Sequence, residues 1–186
     1  MGTLSYGMIA SLDGFVTGPD GSFAWAEPDE ETHQFINDRD RHVGTYLYGR
    51  RMYEIMRVWA DDGWLAGEPE VLHDYAGLWR AADKVVYSTT LAEPGTDRTR
   101  IERAVDADAV RSLKAASPTG LSVAGPGLAS VMLAAGLVDE LAVYVAPAVL
   151  GGGTPLLPRG LRLTLKLVEE HRFASGFVYL RYAVAG

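Results

Sequence analysis

The sequence predicts an α/β fold of one domain over residues 1–186: three layers, with helices on both faces of a mostly parallel central sheet and an antiparallel hairpin at the C-terminus. Three observations point there. Short apolar runs rich in β-formers alternate with segments of helical spacing, as in a parallel sheet whose strands are joined by crossover helices. The runs ending at Tyr48 and Ala124 meet a glycine and pass straight into helical pattern. The chain closes with two stretches of polar and apolar alternation on either side of Ser175-Gly176, the pattern of a hairpin.

Thr3 to Leu12 reads as a strand that enters a turn at Asp13-Gly14. A long loop with Gly18, Pro19, Asp20 and Gly21 follows as far as Trp25, and is either a functional lid or a plain surface loop. Pro28 and the acidic residues after it suit the first turn of a helix over 28–41, where proline costs no hydrogen bond and the dipole favours negative charge. Val43 to Tyr48 is a buried strand and Arg50 to Met56 a helix. Pro69 opens a helix through Trp79, Lys84 to Ser88 is a strand, and Asp106 caps a helix reaching Ala115. Leu121 to Ala124 is a strand, Leu128 to Ala135 a helix ending at Gly136, and Glu140 to Ala146 another strand. After the glycine turn at 151–153, Arg162 to Val168 and Phe177 to Val184 form the hairpin.

Composition removes several function classes. With 24 acidic and 17 basic residues the net charge is -7, so the overall basic footprint of a nucleic-acid binder is missing. There is no cysteine, which excludes disulfides, thiolate metal sites and thiol nucleophiles. The N-terminus lacks the pattern of a signal peptide, and no run approaches the roughly 18 apolar residues of a membrane helix, so a cytoplasmic protein is expected. His33, His42, His73 and His171 show no metal-ligand spacing, and no serine sits in a nucleophile elbow.

The chemistry-bearing segments lie where strands end. Leu121 to Ala124 gives way to Gly125, Pro126 and Gly127 and then to helix, whose free N–H groups and dipole attract phosphate. Such turns also occur without a ligand, and this one lacks the lysine of the ATP-type phosphate loop and the full dinucleotide fingerprint. Gly49 leads into Arg50 and Arg51, either phosphate-binding guanidiniums or surface charges near Glu54. Ser88, Thr89 and Thr90 end a strand where open α/β sheets bind ligands, or they cap the turn.

These segments, in this order, resemble the dihydrofolate reductase-like superfamily, in particular the C-terminal reductase domain of the bifunctional riboflavin-biosynthesis deaminase-reductase. The carriers are Ser11 to Phe15, Tyr48 to Glu54, Lys84 to Leu91, Gly125 to Leu128 with Gly136 to Leu141, and Ala146 to Leu156, so the resemblance runs almost end to end. It implies a sheet of about eight strands with NADPH across their carboxyl ends. By that resemblance Gly49, Arg50 and Arg51 approach the cofactor phosphates, and Ser88, Thr89 and Thr90 the adenosine 2′-phosphate. Gly125, Pro126, Gly127, Leu128 and Ala129 cradle the pyrophosphate, while Ala10 and the loop from Ser11 to Gly18, Asp13 included, flank nicotinamide and substrate. The family's glycine pair is here Ala124-Gly125 followed by Pro126, and Met52 stands where threonine is usual.

The resemblance also implies a proton donor on the first helix, which brings His33, Glu30 and Glu31 forward as candidates. Trp25, Trp59 and Trp64, with Phe35, could wall a planar substrate ring or simply belong to the core. The expected activity is NADPH-dependent reduction of a small heterocycle such as a pteridine or a ribosylaminopyrimidine precursor of riboflavin. The alternative is a non-catalytic nucleotide- or heterocycle-binding module on the same fold. No zinc-binding deaminase segment is present, so a complete bifunctional enzyme is not expected. A homodimer is expected from family habit, with Phe173, Phe177, Tyr179 and Tyr182 of the hairpin as its apolar surface.

Overall fold

The computed structural model describes residues 2–185. Six strands run parallel: β1 (Leu4–Ser11), β3 (Val43–Gly49), β4 (Asp83–Tyr87), β5 (Thr99–Glu102), β6 (Gly120–Ala124) and β7 (Glu140–Ala146). Two antiparallel strands, β9 (Thr164–Arg172) and β10 (Val178–Ala185), complete an eight-stranded sheet of order β5-β4-β3-β6-β1-β7-β10-β9. A separate two-stranded ribbon pairs β2 (Phe15–Thr17) with β8 (Thr154–Pro155). The sequence expectation of a mostly parallel sheet with a terminal hairpin is met.

Alternation along the strands loads both faces. Leu47, Val85, Leu121 and Val123 point to one side, where α4 (Ala107–Ala116) and α5 (Pro126–Ala134) bring Val110, Leu128, Ala129, Met132 and Leu133. Tyr46, Tyr48 and Val86 point to the other, against Tyr53 of α2 (Arg50–Met56) and Tyr75 and Trp79 of α3 (Glu70–Ala81). Next to them α1 (Glu30–Asp40) lays Phe35 against Tyr144, Phe173 and Tyr179. Trp79 is fully buried and its indole N–H donates to the Tyr48 hydroxyl at 3.1 Å, so the large ring is buried without an orphaned donor.

Helix boundaries follow capping chemistry. Asp29 accepts from the Thr32 N–H and starts α1, which leaves Pro28 just outside the helix instead of in its first turn. Asp106 accepts from the N–H groups of Asp108 and Ala109 and starts α4 as expected. The last helix begins at Pro126, two residues before the expected Leu128, because a proline at the first helical position needs no hydrogen bond.

Three strands were not foreseen. Strand β5 is short, and its polar residues Arg100 and Glu102 face solvent, so it carries no apolar run. Strands β2 and β8 lie far apart in sequence, and their pairing has no local signature. The hairpin aromatics also need correction as a dimer surface. Phe173, Phe177 and Tyr179 are almost fully buried within this chain, and Tyr182 is partly buried against the core. The large apolar side chains that remain exposed on the outer strand are Leu165, Leu167 and Val168.

Candidate functional site

Because β1 and β3 through β7 are parallel, their carboxyl ends share one edge of the sheet, and the segments singled out in the sequence all emerge there. At the β1 and β7 end the Ser11 hydroxyl donates to Asp13 at 2.6 Å and accepts from the Phe15 N–H. The other Asp13 oxygen accepts from Gly151 N–H at 2.7 Å, with the Leu150 N–H close to both oxygens. The Ser11 hydroxyl, then the backbone donors, hold the Asp13 carboxyl below the usual carboxylate range. Gly153 sits at φ 124, and a Cβ there would overlap the Thr17 carbonyl oxygen. Leu156 N–H bonds to Gly14 O, and the buried Tyr6 hydroxyl donates to Leu156 O at 2.9 Å.

The long loop expected as a possible lid is therefore clasped over residues 11–17 to the glycine turn. Asp13, foreseen as a substrate contact, spends its acceptors on that clasp. Ala10 is buried with its side chain in the core, so only its backbone can border a ligand.

At the β3, β4 and β5 end the surface is open. A cleft of about 340 Å³ is lined by Arg50, Tyr87, Ser88, Thr89, Thr90, Arg103, Ala104 and Val105. Arg50 bonds to Glu54 at 2.7 Å and to the Thr90 hydroxyl at 2.6 Å. Ser88 accepts from the N–H groups of Thr90 and Leu91, the capping role left open from sequence, which turns the loop back toward the cleft. Arg103 donates to the carbonyls of Ser88 and Leu91 at 3.0 and 2.7 Å and holds the loop from its far side. Sequence reading missed Arg103 because β5, the strand that delivers it, went unrecognised. Arg51 is exposed and makes no hydrogen bond or ion pair among the described residues.

Between these ends the α5 start faces β3, with Gly49 close to Leu128. Gly125, at φ 91, is conformationally required to be glycine, and a Cβ there would stand 3.0 Å from Met52 Cβ. The positions where the chain departs from the family pattern thus touch one another. Gly127 and Leu128 are early enough in α5 for their N–H groups to lack an intrahelical acceptor. Ala129 is not: its N–H bonds to Gly125 O and its side chain is fully buried, so it serves packing.

The α1 side separates the remaining candidates. Glu31 accepts from the Ala174 N–H and pins the hairpin turn, and Glu30 lies exposed in the first turn. His33 is half-buried, with its ring edge-on to Tyr75 at 5.6 Å and Trp59 at 6.2 Å, and Trp59 meets Trp64 at 5.1 Å. Trp25 belongs to a different cluster, with Phe35 and Tyr144, so the structure brings together Trp59, Trp64 and His33 but not Trp25. Burial lowers the His33 pKa, opposed by its bond to Asn37 and by the charge of Asp74. Deeper along α1, burial raises the Asp40 pKa to about 6, against the hydroxyls of Tyr46 and Tyr75 that bond to it.

Comparison with known proteins follows this geometry. The RibD C-terminal domain family matches residues 3–179. Uncharacterized protein YyaP of Bacillus subtilis (strain 168) is 28% identical over 178 residues, covering 94% of this chain and 91% of that protein. A Shewanella sp. PV-4 protein named for riboflavin biosynthesis superposes with a TM-score of 0.77 at 18% identity over 99% of each chain. A diaminohydroxyphosphoribosylaminopyrimidine deaminase/5-amino-6-(5-phosphoribosylamino)uracil reductase of Thermotoga maritima superposes with a TM-score of 0.68 at 12% identity, covering 99% of this chain and 57% of that one. At these identities the two structures establish the fold.

Proposed function

Since the chain belongs to the RibD C-terminal domain family, we propose that it is an NADPH-dependent reductase of a small heterocyclic substrate, acting in the cytoplasm. The observation that carries this reading is the open cleft at the carboxyl edge, where the guanidiniums of Arg50 and Arg103 flank the hydroxyls of Ser88, Thr89 and Thr90. Two fixed positive charges beside hydroxyl donors fit a phosphate monoester, the group that distinguishes NADPH from NADH. The positive φ of Gly125 and the free N–H groups of Gly127 and Leu128 suit a pyrophosphate beside it.

When bound, the nicotinamide supplies a hydride; the protein's part is to hold the rings and manage the proton. Arg50, now bonded to Thr90, would turn its guanidinium to the phosphate oxygens, and Arg103 would hold the Ser88 loop in place. The clasp at Asp13 and Gly153 keeps the end of β1 rigid where the reacting ring would rest. Trp59 and Trp64 offer flat apolar faces to a heterocycle.

The test is NADPH oxidation by the purified protein with a panel of pterins, dihydrofolate and ribosylaminopyrimidines. Oxidation dependent on one of them supports the reductase. Saturable NADPH binding with no oxidation supports the non-catalytic module, which the engagement of Asp13 and Glu31 in structural bonds favours. Exposed Leu165, Leu167 and Val168 support a homodimer through the outer hairpin strand, and a solution mass of a monomer would overturn it.

A further inference from the structure

We propose that Tyr53, which is fully buried and takes no part in lining the cleft, is a positioning residue: its hydroxyl sets the spacing of the guanidiniums of Arg50 and Arg103, and with it the preference for a cofactor that carries a phosphate monoester. The inference rests on the reductase reading above and deepens it.

The two cations reach the cleft from separate parts of the chain. Arg50 opens α2, and Arg103 follows β5, the outermost strand of the sheet. Strand β5 has four residues, pairs only with β4, from Lys84 with Thr99 to Tyr87 with Glu102, and turns Arg100 and Glu102 to solvent. Main-chain bonds on one side and little apolar burial leave such an edge strand weakly fixed. A further tie to α2 is needed for the two guanidiniums to keep one separation.

A chain of hydroxyls supplies it. Thr99, the first residue of β5, donates its only hydroxyl hydrogen to Asp97 O at 3.0 Å. In its 2.8 Å bond with Thr96 it must therefore accept, so Thr96 is the donor. Thr96, its hydrogen given, in turn accepts from the Tyr53 hydroxyl at 2.9 Å. The Tyr53 oxygen receives the Gly95 N–H at 3.1 Å. Every link thus has one direction, from the Gly95 amide through three hydroxyls to a backbone carbonyl, and each bond polarises and strengthens the next. Beside the chain stands Arg98, whose φ of 55 is the left-handed backbone that glycine adopts freely and other residues avoid. Its carbonyl accepts the Lys84 N–H at 2.7 Å where the β4–β5 ladder begins. A conformation of that kind persists where neighbouring bonds over-determine it, as the hydroxyls on either side do here.

On α2, Tyr53 follows Arg50 by three residues, so the two share a face of the helix. Arg50 is bonded to Thr90 at 2.6 Å, and Arg103 holds the loop that carries Thr90 through the carbonyls of Ser88 and Leu91. Contacts therefore close a ring that runs from α2 through the hydroxyl chain to β5, Arg103, the Ser88 loop and back to Arg50. When a phosphate draws Arg50 off Thr90, the hydroxyl chain is the hydrogen-bonded tie that remains between α2 and β5 among the described residues. A phosphate monoester bridges two guanidiniums only when they stand a phosphate's width apart. A ribose hydroxyl has no charge for them to share, so NADH binding is insensitive to that spacing.

The experiment removes a single oxygen. Tyr53→Phe keeps the ring in the core and breaks the chain at its centre, and Thr96→Val breaks it at the next link, outside the core. NADPH and NADH affinities are read by nicotinamide fluorescence, alongside amide hydrogen exchange. Each variant is expected to bind NADPH about fivefold more weakly with NADH affinity unchanged, the double variant to lose no more than either alone, and Thr96→Ser to keep the wild-type preference. Exchange is expected to quicken at Gly95 and also at Ser88, whose N–H bonds to Glu102 O at the end of β5. An unchanged preference in both Tyr53→Phe and Thr96→Val overturns the proposal, as does an equal loss of affinity for both cofactors, which marks a general loss of structure. A wild type that binds the two cofactors alike overturns the cofactor reading instead. The tie is then decided by exchange alone: faster exchange confined to Gly95 means that Tyr53 does not position β5, and faster exchange reaching Ser88 means that it does.

Discussion

The two ends of the sheet's carboxyl edge are built on opposite plans. At the β1 and β7 end, a carboxylate, a strand ribbon and a glycine with no room for a side chain lock two loops together. At the β3, β4 and β5 end, Ser88 is buried, but Arg50, Thr89, Thr90 and Arg103 are exposed, and Arg50 is bonded to a partner it can exchange, Thr90. On the proposed reading, the difference teaches where each part of a dinucleotide would be managed. Hydride transfer depends on reacting atoms being held within a narrow range of distance, so rigidity belongs where the reacting ring would rest. A phosphate is recognised by charge and by donors that can move to meet it, so an open, solvated cleft suffices there.

If the comparison holds, breaking the locked end costs stability and breaking the open end costs only ligand. The largest effect is expected from Gly153→Ala, where the new Cβ strikes the Thr17 carbonyl at a backbone angle that L-residues avoid. Thermal unfolding should show a loss of roughly 3 kcal/mol.

Asp40, which belongs to neither end, supplies a control of opposite sign to Asp13. Its pKa is raised to about 6 by burial, so the folded state binds the proton more tightly than the unfolded chain. Stability from this group is present at low pH and is lost as pH rises from the ordinary carboxylate range through about 6. Asp40→Asn should remove that slope and stabilise the protein near neutral pH by on the order of 2 kcal/mol. Urea unfolding at a series of pH values measures both.

Asp13 should behave in the reverse way. Its pKa is lowered, so its contribution is full above the ordinary carboxylate range and fades as pH falls through the depressed value. Asp13→Asn is expected to loosen the turn at 148–153 above the ordinary carboxylate range, and progressively less as pH falls through the depressed value, read as faster hydrogen exchange at Leu150 and Gly151 with the rest of the sheet unchanged. Smallest in its effect on stability is Arg103→Ala, which frees the Ser88 and Leu91 carbonyls at the surface. It should leave the melting temperature near that of the wild type and weaken NADPH binding about tenfold.

Much of this architecture was legible in the sequence because its signals are local. Asp106 and Gly136 mark helix ends through chemistry that involves only their neighbours, and the runs around Leu47, Val85 and Val123 announce strands buried on both faces. What escaped was set by distant partners. The Phe15 to Thr17 strand exists because the chain at 154–155 returns to pair with it, and Gly153 reads as an ordinary turn glycine until Thr17 is found against it. The aromatic hairpin looked like surface because the α1 helix that covers it, through Phe35, is far away in sequence.

The candidate site divides in the same manner. Arg50, Ser88 and Gly125 were readable as strand-end chemistry. Arg103 was not, since β5 has no apolar pattern to reveal it. Tyr53 carried an available signal, three residues after Arg50 on a recognised helix, where side chains share a face. Its value depends on Gly95 and Thr96, which only the fold brings close.

The central claim is that the open cleft reads the phosphate of NADPH. The most direct test is the ratio of NADPH to NADH affinity, taken from nicotinamide fluorescence for the wild type and for Arg50→Ala. A wild-type preference for NADPH that collapses in the variant, with NADH affinity unchanged, is the result this account predicts. Equal affinity for the two cofactors in the wild type, or a preference that survives the loss of Arg50, would contradict it.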